Sequence, residues 1–189
     1  LFLNYHTKLK YETLDKRYFP TKGLKTNISY TIYTNLHTNT AYSSLAAQVT
    51  KIFPITLNTF IIPTIYGRFI FNDGIPFMYS NVIGGEGYNP HYEQQIPFSG
   101  LTHTESTLKL LGNAQIQVRH KFHEKQYLTL SGNYAIHQNQ FSNFLQGKKI
   151  YGTSIGYGYD SPLGPIEGFI CYSNRTNKLG FYLNIGFGF

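Results

Sequence analysis

The sequence has 189 residues, 13% of them charged and 17% aromatic, with 17 Tyr, 15 Phe and no Trp. This charged share is about half that of an ordinary soluble domain, and no run of about 18 consecutive apolar residues exists, which excludes a transmembrane helix. The net charge is +7, but the sequence contains no arginine-rich helix and no nucleic-acid-binding motif, which argues against a nucleic-acid partner. The single cysteine, Cys171, excludes an internal disulfide framework.

Alternating apolar and polar residues predict β-strands up to residue 70, because successive side chains of a strand point to opposite faces. The runs 1–11 and 24–34 each have one apolar and one polar face. Their apolar positions are Leu1, Leu3, Tyr5, Leu9 and Tyr11 in the first run and Ile28, Tyr30 and Ile32 in the second. Residues 41–53 and 55–70 are β-like but less regular, and Pro63 lacks the N–H that a ladder hydrogen bond requires.

Five further strands are predicted in the second half of the chain, at 108–119, 126–137, 150–159, 165–173 and 180–189. Their clearest apolar positions are Leu108, Leu110, Ala114, Ile116 and Val118, then Leu128, Leu130, Tyr134 and Ile136, then Tyr151, Ile155, Tyr157 and Tyr159, and finally Phe181, Leu183, Ile185, Phe187 and Phe189. The sequence thus predicts eight or nine long strands.

The polar faces of these strands decide between a soluble sheet and a membrane barrel. In residues 108–119 the polar face carries Lys109, Asn113, Gln115, Gln117 and Arg119. Burying these side chains in a dry core would cost several kcal/mol, whereas exposing the other face to water would leave a large apolar patch. A barrel with lipid outside and water inside satisfies both faces, and strands of about 9–11 residues match one crossing of a bilayer.

The sequence therefore predicts an all-β fold, an antiparallel transmembrane β-barrel of the bacterial outer-membrane type, with residues 1–189 as one barrel domain. The basic residues expected to line its lumen are Lys8, Lys10, Arg68, Lys109 and Arg119. The aromatic residues expected at the membrane–water interfaces are Tyr11, Phe122, Tyr127 and Tyr159. Outer-membrane lipid and lipopolysaccharide are the expected surroundings.

The connections alternate between short turns and long loops, as in outer-membrane barrels. Short turns are predicted at 18–23, 121–124 and 161–165, and long loops at 71–105 and 138–148. Short turns are typical of the periplasmic side, so the C-terminus is expected in the periplasm.

The strand count indicates that the barrel is incomplete. Nine strands cannot close an antiparallel barrel, and an open edge in lipid leaves backbone groups unpaired. Missing strands are therefore expected from upstream sequence or from another chain. Residues 1–8 lack the basic start and apolar run of a signal peptide, so the mature chain is expected to begin upstream or to have been cut at this point.

Three motifs resemble the outer-membrane barrel superfamily of BamA, TamA and the two-partner-secretion transporters. The first is the turn 19–23, with Phe19, Pro20 and Gly23, and the second is the turn 161–165, with Ser161, Pro162, Gly164 and Pro165. The third is the terminal strand with Phe187 and Phe189, which resembles the signal read by the barrel-assembly machinery during biogenesis. The resemblance implies the last nine strands of a sixteen-stranded barrel, with 71–105 as its inward-folding loop.

The long loop carries a motif of its own. Its glycine pair Gly84-Gly85 is followed by Gln95, Pro97, Phe98 and Gly100, and it contains no Arg-Gly-Phe tip of the kind that the assembly and secretion members carry. This pattern resembles the barrels that are fused to patatin-like phospholipases in type V autotransporter-like proteins. The resemblance implies an upstream serine phospholipase that this barrel anchors or exports, and we expect the loop to plug the lumen.

Catalytic and metal-binding motifs are weak in these residues. Residues 152–156 match Gly-x-Ser-x-Gly, but the alternation continues through them, whereas a nucleophile elbow needs a turn from strand to helix. His120 and His123 lie three apart, which on a strand places them on opposite faces. We therefore expect no catalytic residue, no metal site and no cofactor here. The alternative functions are a protein translocation or assembly pore and a plain porin-like barrel.

Overall fold

The computed structural model describes residues 2–72, 76–85, 94–101 and 103–186. Nine strands are long: β1 (Phe2–Glu12), β2 (Gly23–Asn35), β3 (Thr40–Pro54), β4 (Thr59–Ile70), β8 (Leu110–His123), β9 (Gln126–Gln138), β10 (Lys148–Ser161), β11 (Gly164–Ser173) and β12 (Leu179–Ile185). Three short strands lie between β4 and β8: β5 (Asn81–Ile83), β6 (Gln95–Ile96) and β7 (Glu105–Thr107). The helical elements of these ranges are two single 3-10 turns, and none of them could span a membrane.

The nine long strands form one antiparallel sheet in the order β1-β2-β3-β4-β8-β9-β10-β11-β12. The prediction of an all-β antiparallel sheet of nine strands is thereby confirmed. Within the described residues β1 and β12 are the two edges, and the sheet does not close on itself. The short strands form a separate sheet in the order β6-β5-β7.

The two faces of the large sheet differ as the alternation predicts. The outer face exposes apolar side chains, and on β12 Phe181, Leu183 and Ile185 are 66%, 53% and 66% exposed. The opposite, inner face buries polar side chains, including Asn113, Arg119, Thr129, Ser131, Asn133 and Ser154. Phe187 and Phe189, the expected assembly signal, lie outside the described residues.

Two boundaries of β8 differ from those predicted. The strand continues to His123 through an irregularity between Lys121 and His123, so the turn is Glu124–Lys125 rather than 121–124. At its other end the strand begins at Leu110, so Leu108 and Lys109 precede it. The backbone oxygens of both residues accept hydrogen bonds from the Asn81 Nδ2, each at 2.8 Å, which binds this segment to the loop.

Pro63 lies in the middle of β4, between two neighbouring strands. The ladder with β8 continues through it, opposite Ile116. On the β3 side the pairing stops at Thr50↔Thr64 and resumes at Phe53↔Ile61. The proline, which has no N–H, is thus accommodated where one ladder is interrupted, because the other ladder keeps the strand in register.

The connection 139–147 folds against the outer face. A Cβ built at Gly112 would lie 3.0 Å from the Phe144 ring, and the Phe69 ring lies 5.5 Å from Phe141 and 6.5 Å from Phe144. The absent side chain at Gly112 therefore makes room for an aromatic ring of this connection.

Candidate functional site on the inner face

The connection between β4 and β8 packs on the inner face of the sheet and brings the two parts of its motif together. The Gly84 N–H donates to the Ile96 oxygen at 3.0 Å, and the Phe98 N–H donates to the Gly85 oxygen at 2.9 Å. The Gln95 Nε2 donates to the Gly84 oxygen at 2.7 Å. Residues 81–85 and 94–101 thus form one hydrogen-bonded unit, which we call the docked loop; Glu86 to Glu93 lie outside the described residues.

An apolar cluster holds the docked loop on the wall. The loop contributes Ile83, Ile96, Phe98 and Leu101, and the inner face contributes Leu111, Ala135 and Ile150 from three adjacent strands. Phe98 is fully buried, and Pro97 next to it is half-buried. Burying each large apolar side chain contributes about 1.5–3 kcal/mol, so this cluster is a strong reason for the loop to stay docked.

Two glycines permit the close approach between loop and wall. A Cβ at Gly152 of β10 would lie 1.9 Å from the Ser99 oxygen. Gly100 has a φ of +84°, and a Cβ there would lie 2.3 Å from the carbonyl group of Tyr172. Any side chain at either position would separate the two backbones, and the φ of Gly100 is one that other residues rarely adopt.

Polar contacts fix the register of the docked loop on the wall. The Ser99 Oγ lies 3.3 Å from the Ser131 Oγ and 3.2 Å from the Ser154 Oγ, and the two wall serines are 2.6 Å apart. All three residues are buried. The Asn133 amide, assigned from its hydrogen-bond network, accepts the Ser99 N–H at 2.7 Å. Buried polar groups that satisfy one another specify one arrangement.

A buried arginine of the wall holds the first half of the loop. The Arg68 Nη1 donates to the Asn81 Oδ1 at 2.7 Å and to the Tyr79 oxygen at 3.3 Å, and its Nη2 donates to the Ser44 Oγ at 3.3 Å. The Tyr33 and Tyr79 rings pack at 4.1 Å. The sequence indicated Arg68 as lumen-facing, but it did not indicate Asn81, whose amide connects Arg68 to the start of β8.

Phe19 packs on the same face at the opposite end of the sheet. Its ring is fully buried and stacks on Tyr127 at 4.3 Å, and the Arg119 guanidinium lies 5.4 Å from the ring centroid. A Cβ at Gly158 would lie 2.8 Å from the ring. The connection from β1 to β2 therefore reaches across the inner face to β8, β9 and β10.

The prediction that Tyr127 belongs to an interfacial girdle is wrong. Tyr127 is 1% exposed, because it faces inward beneath Phe19. Its position in the alternation, on the same face as Thr129 and Ser131, already indicated this. Tyr11 and Phe122, by contrast, are exposed.

Asp15 organises the turn that carries Phe19. Its carboxylate accepts hydrogen bonds from the Thr21 N–H at 2.8 Å, from the Thr21 Oγ1 and from the Lys22 N–H at 3.2 Å. Partial burial acts to raise the pKa of Asp15, but these hydrogen bonds outweigh it and hold the pKa below its ordinary value. The bonds fix Pro20 and Thr21 just before Gly23, where β2 begins.

This geometry predicts a pH-dependent stability. A lowered pKa means that Asp15 stabilises the fold above its unfolded-state pKa of about 3.9, and that the stabilisation is lost as the pH falls through the lower folded-state value. We expect Asp15→Asn to lower the melting temperature near neutral pH and the difference from wild type to shrink below about pH 4. Thermal unfolding in detergent measures both, with Glu124→Gln in an exposed turn as the control. A difference that stays constant with pH would contradict this role.

The second turn motif closes the hairpin between β10 and β11. The Ser161 Oγ donates to the Gly164 oxygen at 2.5 Å and accepts the Leu163 N–H at 3.2 Å, which fixes Pro162 between them. Pro165 is fully buried, and its oxygen accepts the Gly186 N–H at 3.0 Å. This motif therefore connects the hairpin to the end of β12.

The catalytic and metal candidates can also be located. Residues 152–156 lie inside β10, so the turn from strand to helix that a nucleophile elbow requires is not formed there. Ser154 instead faces the docked loop. Within the described ranges no group of three or more His, Cys, Asp or Glu side chains could hold a metal ion.

The comparison with known families agrees with this architecture. A family model described as the OMP85 superfamily matches residues 1–189. No curated protein sequence matches the chain. The match covers every strand described above, and this superfamily comprises outer-membrane barrels of the BamA and TamA type. The chain therefore belongs to the OMP85 superfamily, and it is part of a bacterial outer-membrane β-barrel.

Proposed function

We propose that this barrel anchors an upstream patatin-like phospholipase domain at the outer membrane, and that the docked loop is a fixed plug of its lumen. The observation that carries the proposal is the docked loop itself. Its two motif segments bond to each other and bury Phe98 against three strands of the wall. A loop held in this way blocks the space along the inner face and stabilises the barrel wall.

The attachment of the loop supports a plug more than a moving gate. Besides the apolar cluster, the loop is held by Arg68 through Asn81 at one side, and by the Thr176 Oγ1, which donates to the Gly100 oxygen at 3.4 Å, at the other. These contacts lie on β4 and in the β11–β12 connection, which are separated by three strands. Releasing the loop would require all of them to break together.

The source of the buried arginine supports the phospholipase-type subgroup. The assembly and secretion members carry an arginine at the tip of this loop, whereas here Arg68 belongs to the wall and binds the loop through Asn81 and the Tyr79 oxygen. The groups that the loop itself contributes to this contact, the Asn81 amide and the Tyr79 oxygen, are neutral, and this fits an anchoring barrel. We further propose that the turns at Phe19 and Ser161 face the periplasm, so that the C-terminus lies there, and that upstream strands complete the barrel.

The experiment is to react the full-length protein with a fluorophosphonate probe and to assay phospholipid hydrolysis. We expect labelling of a serine upstream of residue 1, and we expect Ser154→Ala to leave labelling and hydrolysis unchanged, because Ser154 has no nucleophile elbow around it. A full-length protein that neither reacts nor hydrolyses would contradict the anchoring proposal and favour an assembly pore or a porin. Labelling of Ser154 would contradict its exclusion as a nucleophile.

A further inference from the structure

A small polar recess lies on the inner face, between the first four strands and the docked loop. Its lining comprises His6 of β1, Ser29, Thr31 and Tyr33 of β2, Ser44 and Ala46 of β3, Tyr66 and Arg68 of β4, and Gln94 of the docked loop. The wall residues all belong to the inner face, because they occupy alternate positions of four strands that are paired in register. The volume of about 30 Å³ gives room for one or two species of the size of water.

No carboxylate balances the positive charge at this recess. Arg68 is 3% exposed, and the groups that accept its hydrogen bonds are all neutral: the Asn81 amide, the Tyr79 oxygen and the hydroxyls of Tyr33 and Ser44. It forms no ion pair with any residue that the structure describes, and no Asp or Glu is among the described residues of the lining. A buried charge without a counter-charge is costly, and a small anion beside the guanidinium would lower this cost.

Hydroxyl groups next to Arg68 can supply the hydrogen bonds that an anion needs. The Arg68 Nη2 donates to the Tyr33 hydroxyl at 3.4 Å and to the Ser44 Oγ at 3.3 Å, and both residues are buried. Since each hydroxyl oxygen accepts from the guanidinium, its own hydrogen remains to be donated, and the described residues offer it no acceptor. Tyr66 lines the same recess, and its hydroxyl also has no hydrogen-bond partner in the described part of the chain.

We propose that this recess binds a chloride ion. Arg68 supplies the positive charge, and the hydroxyls of Ser44 and Tyr33 donate hydrogen bonds to the ion. The small volume favours chloride, which is only slightly larger than a water molecule, over phosphate or sulfate. A water molecule fits the same space but carries no charge to set against the guanidinium. The bound ion offsets the cost of burying Arg68 and thereby stabilises its contact with Asn81 of the docked loop.

The test is thermal unfolding of the full-length protein in detergent at constant ionic strength, with sodium chloride exchanged for sodium gluconate, whose anion is too large for the recess. We expect the melting temperature to be about 2–4 °C higher in chloride, because an ion at several times its Kd stabilises the folded state by mass action. Ser44→Ala combined with Tyr33→Phe should abolish this difference, because both donors are removed while Arg68 stays. Thr50→Val is the matched control. It removes an inner-face hydroxyl of the same strand, bonded to Thr64 at 3.0 Å outside the recess, and should keep the difference between the two salts.

Bromide can locate the ion directly, since it resembles chloride chemically and scatters X-rays anomalously. Crystals soaked in sodium bromide should show an anomalous peak between Arg68, Ser44 and Tyr33, and the double variant should lack this peak. Equal melting temperatures in both salts, an undiminished difference in the double variant, or bromide at other positions only would each contradict the site. None of these readouts depends on conductance or on the upstream enzyme, so a failure here is distinct from a failure of the proposed function.

Discussion

Gly152→Ala is expected to displace the docked loop from the wall and to open the lumen to ions. The added Cβ would lie 1.9 Å from the Ser99 oxygen, where no flexible side chain can yield, so the backbone of the loop must move. This displacement would also disturb the contacts of Ser99 with Ser131 and Ser154 and the packing of Phe98 in the apolar cluster. We expect a loss of about 3 kcal/mol in the free energy of unfolding, the upper range for overpacking a buried site, and a higher conductance in planar bilayers.

The matched control is Gly132→Ala. Gly132 lies opposite Thr153 on the neighbouring strand but on the outer face, and a Cβ there would lie 4.0 Å from its nearest neighbour, a methyl group of Ile116. This variant should change neither conductance nor stability. Deletion of residues 84–98 removes the plug altogether and therefore gives the highest conductance expected of an unplugged barrel. If Gly152→Ala and the deletion both conduct and melt as the wild type does, the loop does not plug the lumen.

The alternation of residues predicted most of the fold because a strand with lipid on one side and water on the other leaves a period of two in the sequence. β10 is the clearest case: Tyr151, Ile155 and Tyr157 are exposed on one face, while Gly152 and Ser154 are buried on the other. The strand ends were less predictable. Contacts distant in sequence decide them, as when the Asn81 amide binds the carbonyl groups before β8.

The candidate site was only partly predictable, for the same physical reason. The loop motif could be identified from its residues, but the partners of the loop belong to strands far away in sequence. Gly152 is an example. Its position in the alternating pattern of β10 predicted that it faces inward, but no neighbouring residue in the sequence indicated that Ser99 would contact it. Arg68 and Asn81 are likewise 13 residues apart and bond only because the loop turns back.

Two chain segments cover separate parts of the inner face, one at each end of the sheet. The docked loop covers the inner face around Leu111, Ala135 and Ile150, and the Phe19 turn covers it around Tyr127 and Gly158. Leu14 of the same turn packs on a second cluster of Ile52, Phe60 and Ile62. These apolar patches explain why an inner face that is mostly polar still contains large aliphatic side chains. They lie where a chain segment covers the wall.

Phe19→Ala is expected to be the most destabilising single substitution in the turn. Phe19 is fully buried, stacks on Tyr127 with an interplanar angle of 4° and lies beside the Arg119 guanidinium. Removing the ring leaves a cavity next to Gly158, which has no side chain to fill it. Large aromatic residues replaced by alanine in a packed interior cost about 3–5 kcal/mol, and the melting temperature in detergent should fall accordingly.

Phe53→Ala separates the effect of this contact from the loss of any aromatic ring. Phe53 lies at the same end of the sheet, because its neighbour Ile52 pairs with Gly23 at the start of β2. Its side chain, however, is 46% exposed on the outer face. Its removal should cost far less in detergent. Phe19→Leu should fall between the two, because leucine retains apolar volume but neither the stacking on Tyr127 nor the cation–π contact with Arg119. Equal melting temperatures for Phe19→Ala and Phe53→Ala would show that the Phe19 turn does not hold the inner face together.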